Sequence, residues 1–569
     1  MNEEFRKIPP MPLAPRAFTL AQPFETALSN GLKIVVFEDK RLPIISLRLI
    51  FRSGGSHDPK DSPGLTSALA AMLHEGTATR SSKQLAEEIE KIGATLSASA
   101  GADNTIVAAS SLSENASKVL ELMADMTLEP TFPEKELDLF KENTKEELKF
   151  QRSSPDFLAH EAMAMTLYGE HPYGVVSTNE KAVDSLTREI LANFHQQVFI
   201  PNNATMVVVG DVDRESLLAE LETRFGKWAE GEPMRAEFPA PPARTEKTLT
   251  IVDRPGSSQS NIVLSNLGIT RNDPDFYALQ VMNQILGAGA SSRLFLNLRE
   301  EKSYTYGAYS SLDARRLAGA FEATSEVRNE VTGAALKEFF LEFDRIRNEK
   351  VDEAELNDAK NYLTGVFPIR LETQEGLTNQ IVTQQAYGLP AAYLREYRDK
   401  IAQVSAVDVQ RVAQKYVTPD VMALAIVGDA GEILAQIEPY ATKLSIVDTD
   451  GRPQNVDSYA KDAALPAANV AGNWSLTLDA GAQELAVTLE LKQEDAKLTG
   501  ALKSALVNGE ISGGKVTGNK VAATIKTTFQ GQDLNVIVNG NVDGDQMSGS
   551  LDLGIPGAPN LSFSGEREK

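Results

Sequence analysis

The stretch "PNNATMVVVGDV" (Pro201–Val212) returns as "PDVMALAIVGDA" (Pro419–Ala430), and this internal repeat limits the possible folds more than any other feature of the chain. Each copy runs from a Pro through an apolar strand to a V-G-D turn. Helical sequence follows both, "RESLLAELETRFGKW" in the first and "GEILAQIEPYATKL" in the second. The pattern implies a duplicated α+β unit. Its first copy is assigned to residues 20–235 and its second to 249–445. The Pro- and charge-rich segment 236–248 links them, an extended arm covers 1–19, and a second linker covers 446–470.

Within the first copy, "GLKIVVFED" and "IISLRLIFRSG" alternate with the period of strands. "SPGLTSALAAMLHEGT" reads as a buried helix entered through the Pro63-Gly64 turn and closed by Gly76. "SSKQLAEEIEKIG" opens on a serine cap and places Leu85, Ile89 and Ile92 on one face. A strand pair and long helices over 114–128 and 134–151 follow. The expectation is a sheet with its helices packed to one side. Residues 471–569 differ in texture: short alternating segments such as "NWSLTLD" and "LAVTLELK" predict a small antiparallel barrel or sandwich of seven or eight strands.

Composition narrows the chemistry. The chain has 569 residues and no cysteine, which removes disulfides, thiol catalysis and Cys-ligated metal. A formal charge of −23 argues against nucleic acid or an anionic membrane as partner. No apolar run approaches the roughly 20 residues a membrane helix needs. "MNEEFRKIPPMPLAPRAF" lacks the apolar core of a secretory leader and reads as an extended arm, compatible with a mature N-terminus behind an added Met.

Four segments resemble one family. "GLTSALAAMLHEGT" is similar, without a gap, to the zinc helix of the M16 (insulinase/pitrilysin-like) metallopeptidases, with matches at Gly64, Leu65, Leu69, Met72, Leu73, Gly76 and Thr77. "NGLKIVVFED", "HPYG" (171–174) and "NATMVVVGDV" resemble further M16 blocks in the same order. The resemblance implies two tandem M16 domains of the LuxS/MPP-like kind forming half of a clamshell.

The departure from the family is as informative. Its H-x-x-E-H motif sets two histidines on one helical face for zinc, with a glutamate beside the attacking water. Those positions here are Ser67, Ala70 and Ala71, and Glu147 stands where the third ligand would be. Alanine has no lone pair and a serine hydroxyl is a poor zinc ligand, so no metal is expected in this chain. Of the five histidines no two lie within four residues, and His74 and its neighbour Glu75 are expected to point apart on the helix.

In the second copy, "NLREEKSYTYGAYSS" resembles the M16 block whose arginine and tyrosine face the zinc across the chamber. The matching pair is Arg299 and Tyr306. In the family the arginine grips a peptide carbonyl and the tyrosine donates to the oxygen that becomes negative in the tetrahedral intermediate. Read from residues alone, the pair equally suits a salt bridge to Glu300 or Glu301 and a packed ring, with Tyr304 a competing donor. In some M16 enzymes the zinc motif and the Arg/Tyr pair are divided between two chains. The resemblance thus implies the non-zinc subunit of a heterodimeric metalloendopeptidase. Zinc would be bound by a partner M16 chain with an intact motif, the substrate would be an unfolded or short peptide, and a periplasmic location would follow by family analogy. The alternatives are a catalytically inactive M16-like scaffold or peptide-binding, chaperone-like protein, and a chain whose C-terminal β domain binds lipid, glycan or protein.

Overall fold

The computed structural model describes residues 19–234, 237–459, 467–479, 484–504, 508–529, 532–553 and 561–568. Most of the arm assigned to 1–19 and part of the 446–470 linker therefore lie outside the described residues. The first sheet contains β1 (Phe24–Ala27), β2 (Lys33–Glu38), β3 (Ile44–Phe51), β4 (Thr95–Ala100), β5 (Thr105–Leu112) and β6 (Ala204–Gly210), in the order β1-β2-β6-β3-β5-β4. The second contains β7 (Thr248–Asp253), β8 (Gln259–Leu267), β9 (Thr305–Ala314), β10 (Gly319–Arg328), β11 (Ala423–Gly428), β12 (Lys443–Val447) and β13 (Pro453–Gln454), in the order β13-β12-β7-β11-β8-β10-β9.

The sheets share one topology, and the repeated V-G-D strands explain it. β6 enters between β2 and β3, parallel to the first and antiparallel to the second, and β11 enters between β7 and β8 in the same way. Every residue of both strands is buried. An unbroken apolar run has this meaning: the strand is covered on both faces.

The two covers come from different places. Met206 and Val208 of β6 face the first domain's own helices, in a core with Leu69, Leu120, Met123 and Phe225. Val207 and Val209 point the other way, into a core that includes Leu377 and Ile381 of the Gln374–Ala386 helix. The second sheet mirrors this. Leu424 and Ile426 face inward, while Ala423, Ala425 and Val427 meet Leu158, Ala159, Met163 and Leu167 of the Pro155–Tyr168 helix. Each copy lends the other a helix. The expected one-sided packing is therefore corrected, because a strand apolar on both faces needs a second cover and the neighbouring copy supplies it.

Polar contacts fix the exchanged helices. Gln374 Nε2 donates to the Asp39 carbonyl at 2.8 Å, and Arg48 lies 3.3 Å from Glu375. On the other side His160 Nε2 meets Glu322 Oε1 on β10 at 3.1 Å. The Tyr173 hydroxyl of the "HPYG" segment donates to buried Asp103 and accepts from the Leu317 amide at 3.2 Å. The second domain also runs past the boundary assigned at 445, since β12 and β13 add to its sheet and Tyr459 donates to Asp253 at 2.6 Å.

The C-terminal domain is a closed barrel of eight antiparallel strands: β14 (Gly472–Asp479), β15 (Glu484–Glu494), β16 (Lys497–Ser504), β17 (Asn508–Thr517), β18 (Lys520–Phe529), β19 (Gln532–Asp543), β20 (Gln546–Asp552) and β21 (Leu561–Arg567). Closure resolves the expectation of barrel or sandwich, and it removes open sheet edges. Trp474, Leu489, Ile525, Val538, Phe563 and their neighbours fill its interior. Among the described residues the inside is a side-chain core.

Glu322 raises the pKa of His160 to about 9, chiefly through their hydrogen bond. A protonated His160 therefore holds the exchanged helix with a contribution fully present below the unfolded value near 6.5 and lost as pH rises through about 9. Thermal midpoints followed from pH 6.5 to 10 should show a decline that His160→Gln flattens. An identical slope in the variant would show that this contact does not hold the helix.

Candidate active-site face

The Leu65–Met72 helix is anchored at its start by Asp58, which accepts from the amides of Gly64 at 2.8 Å and Thr66 at 2.9 Å. These bonds occupy first-turn donors that would otherwise be unpaired. Gly64 has φ +86, and a Cβ there would sit 2.6 Å from Cβ of Thr178, so only glycine makes this entry. Leu65, Ala68, Leu69, Ala70 and Met72 are buried, which makes the helix part of the first domain's core.

Ser67 is exposed, Ala71 is half-buried and Ala70 is 1% exposed. Glu147 lies exposed on the Glu134–Ser153 helix, accepting from Gln151 Nε2 at 3.4 Å. The histidines are spent elsewhere. His57 Nδ1 accepts from the Gly54 amide, His171 Nδ1 accepts from the Tyr173 amide, and His160 holds Glu322. Burial pushes His195 down to about 4, so its neutral ring donates to the Thr127 carbonyl at 2.8 Å. His74 corrects an expectation: it lies 2.9 Å from Glu75, the two side chains bending together across the Leu73–Glu75 3-10 turn although their Cα–Cβ bonds diverge. Among the described residues no three His, Asp or Glu side chains gather to hold a metal ion. With alanine at two motif positions, the residues present do not fit zinc.

The segment that carries Arg299 and Tyr306 shows three successive departures from regular backbone. Leu296–Glu301 is a π-helical turn, an uncommon form that often marks functional sites. The Lys302 amide bonds to the Asn297 carbonyl at 3.0 Å, and the Tyr304 amide to the Leu298 carbonyl at 3.0 Å. Ser303 then takes φ +55, a left-handed conformation that costs a non-glycine residue about 1–3 kcal/mol. Finally β9 is bulged. Thr305 pairs with Val327 and Ala308 with Ser325, so Tyr306 and Gly307 together oppose Glu326.

These irregularities set the side chains. Arg299, on the π turn, has its side chain 45% exposed and its guanidinium 4.7 Å from the centre of the Phe295 ring; Glu300 is 3.6 Å away. Tyr306, on the bulge at the sheet edge, is 92% exposed. Tyr304 instead packs against the second domain's core, so of these two tyrosines Tyr306 is the one presented to solvent. Thr305 Oγ1 secures the bulge by donating to the Glu326 carbonyl at 2.7 Å, and Ser325 Oγ donates to the Gly307 carbonyl at 2.9 Å. Phe295, Asn297 and the Ser303 backbone escaped the sequence reading. The run of "FLNLREEKSYTYG" through a helix-to-strand junction without a Pro or an early Gly was the available sign of irregular backbone.

Comparison with known proteins covers both halves. Residues 33–179 match the family described as insulinase (peptidase family M16), and residues 185–363 match the peptidase M16 inactive domain. An uncharacterized zinc protease of Bacillus subtilis, YmxG, is 25% identical over 413 residues, 71% of this chain and 98% of the relative. An uncharacterized zinc protease of Rickettsia felis is 26% identical over 407 residues, 70% of this chain and 96% of the relative. Among solved structures, a peptidase M16 inactive domain from Pseudomonas fluorescens superposes with a TM-score of 0.68 at 29% identity, covering 72% of this chain and 98% of that one. A protease from Helicobacter pylori shares the fold, with a TM-score of 0.67 at 20% identity over 72% of this chain and 100% of that one.

Elemental analysis of the purified chain after dialysis against zinc should find far less than one equivalent of bound metal. A full equivalent that survives dialysis would contradict the reading of Ser67, Ala70 and Ala71.

Proposed function

The chain belongs to the M16 peptidase family, and from that membership we propose that it is the non-zinc subunit of a heterodimeric M16 metallopeptidase. The observation that carries the reading is the asymmetry between the halves. The metal positions hold two alanines and a serine, while Tyr306 stands exposed on a bulge seven residues after Arg299 on a π turn. A decayed enzyme has no reason to keep costly backbone that presents these two groups.

In this reading a partner M16 chain with an intact motif brings zinc, the attacking water and the glutamate base. Arg299 binds a carbonyl of the peptide with its permanently charged fork. Tyr306 donates to the carbonyl oxygen as negative charge builds on it, a donor worth about 2.7–4 kcal/mol of barrier in comparable sites. The substrate is an unfolded or short peptide, because an extended backbone is what a sheet edge can bind. A periplasmic site of action belongs to the same proposal and is checked by fractionating the native source.

A second reading is favoured by β4. It is one of the two edge strands of the first sheet, and its "TLSASA" carries no Pro, charge or bulge to block strand addition. A chain that holds extended peptides there without cutting them would be a peptide-binding protein. The two readings separate on activity after mixing with a zinc-bearing M16 chain.

In the reconstituted pair, Tyr306→Phe should lower kcat about 10²–10³-fold without loss of assembly on gel filtration. Arg299→Ala should in addition raise KM, since it grips bound substrate. Unchanged turnover in Tyr306→Phe would remove the role assigned to it.

A further inference from the structure

The rear of the π turn carries an arrangement that the fold itself does not require. Asn297 is buried, and its amide nitrogen donates to Glu338 Oε2 at 3.1 Å and to Glu342 Oε1 at 2.8 Å. Both glutamates sit on the Thr332–Asn348 helix and are buried, Glu342 to 2% exposure. Glu342 also accepts from Arg345 at 3.0 and 3.1 Å. The turn's entrance is fixed as well, by Arg293, which forks onto Glu355 at 2.8 and 2.6 Å.

Two carboxylates and an amide in a helix-packing interface are expensive. Apolar residues of similar volume are often as stable or more so, whereas removing one partner leaves the others unpaired in the interior. The remaining buried neighbours, Leu294, Leu298, Phe339 and Phe343, are of the apolar kind that would suffice for packing. What the polar contact adds is direction. Leucine pairs tolerate sliding, while an amide shared by two carboxylates specifies one rotation of the turn. That rotation sets the opposite face of the same turn, where Arg299 lies two residues on, and the exit through Ser303 to the bulge of Tyr306.

We propose that Asn297, Glu338 and Glu342 form a positioning strut that holds the π turn so that Arg299 and Tyr306 are presented together. The strut rests on the proposed role of those two residues, but its structural half is open to independent measurement. The three side chains touch no substrate and act only through the turn.

Three measurements test it. Asn297→Leu alone takes the amide donor from both buried glutamates, leaving Glu342 only its Arg345 partner, and is used only if it folds. The decisive variant is Asn297→Leu/Glu338→Leu/Glu342→Met, which replaces the whole contact with apolar groups. Its thermal midpoint should equal or exceed that of the parent, while kcat/KM of the reconstituted pair falls between about ten- and a hundredfold, the effect of misplacing catalytic groups by about 1 Å. In the Arg299→Ala/Tyr306→Phe background the same triple substitution should change kcat/KM less than twofold. An equal loss in both backgrounds, or unaltered kcat/KM in the parent background, would overturn the strut. Hydrogen exchange on the isolated chain gives a readout independent of any partner: the amides of Lys302, Ser303 and Tyr304 should exchange at least tenfold faster in the triple variant. Should the parent pair prove inactive, the heterodimer reading fails, and exchange rates still decide the strut, since unchanged protection refutes it.

Discussion

Central strands that are apolar on both faces govern this molecule. β6 and β11 each split their side chains between two cores by simple alternation, and neither strand can be buried by its own copy's helices alone. The solution is an exchange in which the Pro155–Tyr168 helix covers the second sheet and the Gln374–Ala386 helix covers the first. Burial of a Leu or Met side chain is worth about 1.5–3 kcal/mol, so the Leu158, Met163 and Leu167 contacts outweigh any of the surface ion pairs nearby. Ala423 and Ala425 complete the fit, because small side chains let the visiting helix approach the sheet closely. The relative orientation of the copies follows from this packing.

Against that firm frame, the irregular segment from Leu296 to Gly307 is an exception. A π turn, a left-handed serine and a bulge follow one another within a single helix-to-strand connection. Each departs from the cheapest backbone, and each is held by named contacts: Asn297 to the glutamates, Thr305 to Glu326, Ser325 to Gly307. The helix that resembles a zinc helix shows the reverse. The Leu65–Met72 segment has regular geometry, a sound N-terminal anchor and a packed face. Regular structure survives there as scaffold, and irregular structure persists where polar groups face solvent.

The sequence disclosed a good deal of this. The V-G-D repeat locates the two central strands because a fully buried strand must be continuously apolar, and the alternation after residue 471 announces the barrel because each strand has one filled and one wet face. It could not disclose the helix exchange. Periodicity in 155–168 shows that a helix has an apolar side but not which sheet receives it, although the alanines of "ALAIVG" were a usable hint. The π turn was equally hidden, since "LNLREE" has ordinary helical composition and the change lies in hydrogen-bond register. The contact of His74 with Glu75 was hidden too, since it depends on how the two side chains bend and not on residue type. The expectation that no zinc is held, by contrast, rests only on the letters at 67, 70 and 71.

The lent helices also bear on what the segment between the copies does. Because each half is capped by a piece of the other, the covalent bridge around residues 236–248 is not what keeps them together. A molecule clipped in that stretch would still migrate as a single particle, with its halves parting only in denaturant.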